Sequence, residues 1–129
     1  MDIRTHLEIS PDLVGEVVAA GSGTATVRLL LSQEMAADER GLAHGGFTFG
    51  LADYAAMLAV NDPNVVLGAA QVRFTAPVRV GESVTAQAEV IERRDQKNVV
   101  HVTCSVAEGR VVLEGDFTCF VLDRHILDR

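Results

Sequence analysis

Apolar and polar positions alternate along most of the second half of this chain and along one stretch of the first half. Ala25, Val27, Leu29 and Leu31 alternate with Thr24, Thr26 and Arg28, and a side-chain period of two is the mark of a strand with one buried face. The whole of residues 14–31 reads as strand, interrupted by Gly21-Ser22-Gly23, so it predicts two strands joined by a tight turn. Four further strand-like runs follow at 65–75, 83–92, 98–107 and 111–122. They are separated by Pro77 with Gly81, by residues 94–97, and by Glu108-Gly109, all of them turn signals. Residues 5–14 form a weak segment, a short helix broken near Pro11, and residues 32–43 are a loop with room for one turn of helix.

Between these runs the period changes. Strong helix formers fill residues 51–59, and Asn61-Asp62-Pro63 stops them, which predicts a central helix over 45–61. It is apolar almost all round, so it is expected to be buried. One helix among short-turned strands makes an α+β domain, an antiparallel sheet of five to six strands with the helix on its face. Such a sheet has edges and a partly apolar back that need cover. Self-association is the simplest cover.

Composition narrows the picture. The chain has 129 residues, 48% of them apolar and 22% charged, which suits one globular domain over 1–129 with a core at about 14–122. Aromatic residues are 5%, with no Trp and one Tyr. Val and Ala must then fill the core, and they let a helix lie close on a sheet. Asp and Glu number 18 against 11 Lys and Arg, a net charge of −7. That balance argues against nucleic acid or an anionic membrane as partner, although two or three arginines in one pocket can still hold a phosphate. The first residues lack the basic end and apolar run of a signal peptide. The weakly charged stretch at 41–60 is interrupted by glycines, His44 and Asp53, unlike a spanning helix. A soluble cytoplasmic protein is the expectation.

Cys104 and Cys119 each sit in a period-two apolar series. If Glu108-Gly109 turns a hairpin, Cys104 faces Leu113 and Cys119 faces Asn98. The thiols are then out of register and cannot form a disulfide. Buried free thiols are expected, and no Cys or His near them falls at metal-ligand spacing.

The chemistry lies in residues 42–56. Gly45-Gly46 stands at the start of the predicted helix, where backbone N–H groups lack intrahelical partners. Such donors, backed by the helix dipole, can hold an oxygen carrying negative charge; an ordinary tight turn is the other reading. Asp53 is the only charged side chain between Arg40 and Asp62. A lone carboxylate on an apolar helix is costly, and burial raises its pKa. It is either a structural group bonded to a nearby loop or a general base or nucleophile. Eight residues separate Gly45 from Asp53, about 12 Å along a helix. One helix cannot readily bring both groups to one carbon, whereas two antiparallel copies can. If both are functional, the site lies between subunits.

His44-Gly45-Gly46 followed by Leu51-Ala52-Asp53-Tyr54-Ala55 resembles the hotdog-fold acyl-CoA thioesterases of the phenylacetate-pathway type. The stretches 73–82 and 117–122 resemble the same family, and the likeness covers about 14–122. It implies a curved sheet wrapped around one long helix, two chains in a continuous sheet, and often dimers of dimers. It also implies hydrolysis of an acyl-CoA thioester with no cofactor and no metal, CoA being part of the substrate. By position, Asp53 matches the catalytic carboxylate, Gly45 the amide that polarises the thioester carbonyl, and His44 the histidine that shapes the loop. Gly46 stands beside the same carbonyl. Phe47, Phe49 and Tyr54 either line an acyl pocket or belong to the core. Arg73, Arg79, Arg93, Arg94 and Lys97 are candidates for the CoA phosphates, or else solvated charges on turns. Met57, one turn after the acid, has no hydroxyl to hold a water.

Two other readings compete. A hotdog hydratase or dehydratase wants a His about five residues after the acid, where this chain has Leu58. A non-catalytic acyl-CoA binder is the second, although regulators of this fold carry an added DNA-binding segment for which the chain's length leaves no space.

Overall fold

Hairpin after hairpin follows from the alternating pattern. A computed structural model describes residues 2–128. Its strands are β1 (Glu16–Gly21), β2 (Thr24–Leu30), β3 (Val65–Phe74), β4 (Ser83–Arg94), β5 (Lys97–Ser105) and β6 (Val111–Val121). They form one six-stranded sheet in the order β1-β2-β4-β5-β6-β3, antiparallel throughout. The strand count is the upper of the expected values. The hairpin register is the expected one, with Cys104 opposite Leu113 and Cys119 opposite Asn98. Both thiols are free and buried.

Register shifts at Val17/Ala19, Leu67/Ala69, Val90/Glu92 and Cys104/Ser105 are bulges that bend a strand and increase its twist. Spread over the sheet, they curl it around α2 (Gly45–Val60). The helix contributes Leu51, Ala52, Ala55, Ala56, Leu58 and Ala59 to the core, and the strands answer with Val27, Val84, Ala86, Val100, Val102 and Phe117. The alanines let the helix axis approach the strands, and each fully buried Leu adds about 1.5–3 kcal/mol. Asn61 ends α2 in the left-handed conformation, its N–H bonded to the Met57 carbonyl at 2.8 Å. Its side chain accepts from the Arg4 N–H and donates to the Asp2 carbonyl, both at 2.7 Å. The cap thereby ties the N-terminal segment to the helix end.

Two expectations are corrected. Pro11 does not break the short helix α1 (Pro11–Val14) but begins it, since proline's fixed φ and missing N–H suit a first turn. The long helix is buried on one side only. Gly46 is exposed, and Phe47, Phe49, Gly50, Asp53, Tyr54 and Val60 are half-buried, because the sheet wraps one flank and leaves the other open. No described helix is long and apolar enough to cross a membrane.

Candidate functional site

The start of α2 is held by two neighbouring segments. The Ala43 N–H bonds to the Val78 carbonyl at 2.8 Å and the His44 N–H to the Met35 carbonyl at 2.9 Å. The Phe47 N–H turns back to the His44 carbonyl at 3.2 Å. Gly45 and Gly46, ahead of it, keep N–H groups with no partner in the helix. No acidic side chain stands in the first turn, and His44 makes no side-chain cap, so nothing in the helix's own sequence competes for these donors.

A side chain at either position would crowd an aromatic ring. A Cβ on Gly45 would stand 3.3 Å from Cε1 of Phe74, and one on Gly46 would stand 3.0 Å from Cδ2 and Nε2 of His44. The His44 ring thus folds over Gly46, with Phe47 edge-on to it at a centroid distance of 6.0 Å. An open groove of about 370 Å³ runs past Gly45, between Thr48, Phe74, Pro77 and Val112. Thr48, one helical turn beyond Gly45, went unnamed although its spacing to the helix start was legible. Phe74 was not, because β3 reaches the helix start only through the fold.

Asp53 lies farther along the open side of α2. Its Oδ1 is buried and has no hydrogen-bond partner among the described residues, so the structural reading of a carboxylate bonded to a loop finds no bond to support it. Burial pushes its pKa from 3.8 up to about 6. Cys119 on β6 stands close enough to sense it: burial first, and then the Asp53 charge, push that thiol up to about 12. Burial alone does the same for Cys104. Neither thiol is a nucleophile at neutral pH. Among the described residues no group of three or more His, Cys, Asp or Glu is placed to hold a metal ion.

The remaining candidates separate. Tyr54 leans on His6, with ring centroids 6.1 Å apart, and Phe49 packs on Phe117 at 5.5 Å. Arg73 pairs with Glu114 across β3 and β6. Directly opposed residues share a face, and Glu114 bonds to His101 away from α2, so Arg73 points off the groove. Arg93 borders a hollow with Ala59, Val60 and Asn61 at the far end of α2, and Arg94 and Lys97 pair in the same hairpin. Sixteen helical residues, about 24 Å, divide that end from Gly45. Arg79 is the one predicted base near the helix start. It is joined there by Arg40 and Arg110, which sequence reasoning missed because three separate loops bring them together.

A long helix gripped by a curled antiparallel sheet, with an unbonded carboxylate on its open side, is a hotdog domain. The chain belongs to the MaoC-like domain family, which it matches over residues 34–111. An uncharacterised protein from Pyrococcus horikoshii superposes with a TM-score of 0.97 at 54% identity, covering 99% of this chain and 98% of that one. The methylthioribose-1-phosphate isomerase of Aquifex aeolicus is 49% identical over 95% of this chain, which spans only 27% of that enzyme. Transcription factor FapR of Caldanaerobacter subterraneus is 25% identical over 94% of this chain, which spans 60% of the factor. Length alone therefore does not separate this chain from regulators. Two more distant structures share the fold: a hypothetical thioesterase from Streptococcus pneumoniae with coenzyme A, at 22% identity, TM-score 0.77 and 85% and 87% coverage, and the E. coli PaaI protein from the phenylacetic acid degradation operon, at 24%, TM-score 0.75 and 81% of each chain.

Proposed function

We propose that this chain hydrolyses acyl-CoA thioesters at a site shared by two copies. The observation that carries the reading is Asp53, a carboxylate with a buried, unbonded oxygen on an otherwise apolar helix. Stability gives no reason for it, and acid–base chemistry does. The distant Streptococcus pneumoniae fold-mate with coenzyme A establishes only that this fold accommodates such a ligand.

The Gly45 N–H receives the thioester oxygen and stabilises the charge that develops there. Asp53 of the second copy completes the site, because Gly45 and Asp53 of one helix are about 12 Å apart. The face between them carries Gly46 and Gly50, and nothing lies within 4 Å of a Cβ placed on Gly50, so a second helix has room to approach. Asp53 then takes a proton from water as its oxygen attacks the carbonyl carbon. Collapse expels the CoA thiolate, which picks up that proton. Direct attack by the carboxylate, through an anhydride that water opens, uses the same placement. His44 positions the loop by covering Gly46.

Thiol release from short, medium, long and aryl CoA esters tests this reading, and at least one ester is expected to turn over. The acid limb of kcat/KM should rise tenfold per pH unit and level off above an apparent pKa near 6, the value for Asp53. A flat profile between pH 5 and 7 would remove Asp53 from the chemistry.

A second reading, an acyl-CoA-responsive binding domain without turnover, is favoured by the likeness to the FapR transcription factors. CoA esters that bind with no thiol release would establish it. Membership of the MaoC-like family favours a hydratase, but Leu58 is fully buried where that reaction wants a histidine. An enoyl-CoA in the same panel decides the point.

A further inference from the structure

A second cavity, of about 420 Å³, opens beside the groove at Gly45, and Leu42 and Pro77 border both. Its wall carries Arg40, Arg79 and Arg110 with Asp38 and Glu82. The two acids are already engaged. Asp38 Oδ1 accepts the N–H groups of Arg40 at 3.0 Å and Leu42 at 3.2 Å. Glu82 Oε1 accepts the Arg79 N–H at 2.8 Å, and its Oε2 accepts from Arg110 Nη2 at 2.7 Å. Arg110 also donates to the Pro77 carbonyl at 2.9 Å, so it braces the loop.

The other two guanidinium groups differ. Neither Arg40 nor Arg79 makes an ion pair among the described residues. Their backbones are held side by side, since Leu42 bridges Arg79 and the Val80 N–H bonds to the Gly41 carbonyl at 2.9 Å. In a chain of net charge −7, two arginines without an ion pair on the wall of one cavity make it a place for an anion. Their planar donor forks match phosphate oxygens.

We propose that Arg40 and Arg79 seat the phosphates at the nucleotide end of CoA. This rests on the thioester reading of the groove at Gly45. The pantetheine arm is uncharged and suits the mostly apolar groove, and the phosphates follow where Leu42 and Pro77 lead into the second cavity. The consequence is a preference for CoA esters over phosphate-free pantetheine esters of the same acid.

The test compares kcat/KM for an acyl-CoA and the matching S-acyl-pantetheine in wild type, Arg40→Ala/Arg79→Ala, Arg40→Lys/Arg79→Lys and Arg28→Ala. Losing two charge-assisted phosphate contacts is expected to cut the CoA preference at least about tenfold, through KM and most clearly at low salt. The Lys pair should keep most of the preference, and Arg28→Ala, on the exposed face of β2, should keep all of it. A preference unchanged in the Ala pair overturns the proposal. Should wild type turn over neither ester, the thioesterase reading fails by itself. Calorimetric titration with adenosine 3′,5′-bisphosphate then judges the cavity alone: binding lost in a folded Ala pair upholds it, while binding that persists there, or none to wild type, overturns it.

Discussion

Asp53→Asn is expected to lower thiol release by about 10²-fold or more while making the protein more stable above pH 7. The loss follows from removing the base or nucleophile, with general acid–base catalysis contributing roughly 10²–10⁴-fold. KM should change little, because Asn keeps the shape. The gain follows from linkage. The folded-state pKa of Asp53 is raised from 3.8 to about 6, so the native state binds this proton more tightly than the unfolded chain does. The group costs nothing below about pH 4, and stability falls as pH rises through the window between the two values. Above pH 7 the cost is on the order of 2 kcal/mol, with allowance for its partial exposure. Asn carries no charge and escapes it. Thermal melts at pH 8 should place the variant several degrees above wild type, and the gap should close near pH 4. A variant that is inactive and also less stable at pH 8 would mean that Asp53 is a structural group.

The second large effect is expected at Gly115, which touches neither Gly45 nor Asp53. Gly115 on β6 faces Val72 on β3, and the two backbones approach so closely that a Cβ there would stand 2.6 Å from Val72 Cα and overlap the Gln71 carbonyl oxygen. These are backbone atoms and cannot swing aside. Gly115→Ala must push β3 off β6, its only strand neighbour among the described residues, at a cost of about 3 kcal/mol or more. A fall in melting temperature of roughly 10 °C is the expected reading. Activity should fall with it, since β3 carries Phe74 against Gly45. An Ala variant melting within a degree or two of wild type would show that β3 shifts freely.

Residues 24–31 and 98–122 show how much of the fold was legible. Period-two alternation stated the faces of the strands, and the Glu108-Gly109 turn was enough to set which residues oppose one another. Asp53 was legible for the same kind of reason: a charge that neither helix propensity nor packing calls for stands out in an apolar run. Gly45 and Gly46 stood out by their place at the helix start. Pro11 was misread, because a proline within a weak segment signals a break or a beginning equally well.

The basic residues mark where sequence reading stopped. Arg73, Arg79 and Arg93 look alike along the chain, each near a strand end, yet one faces off the sheet, one lines the cavity beside the helix start, and one lies at the opposite end of the helix. Local sequence determined what is local: the period of each element, its turns, the register of adjacent hairpins, and the helix start with its carboxylate eight residues on. The tertiary structure decided which loops meet at that helix start, that Phe74 covers Gly45, and that Arg40, Arg79 and Arg110 share a wall. It decided them because the curl of the sheet sums many small bulges and twists, and no single residue encodes that sum.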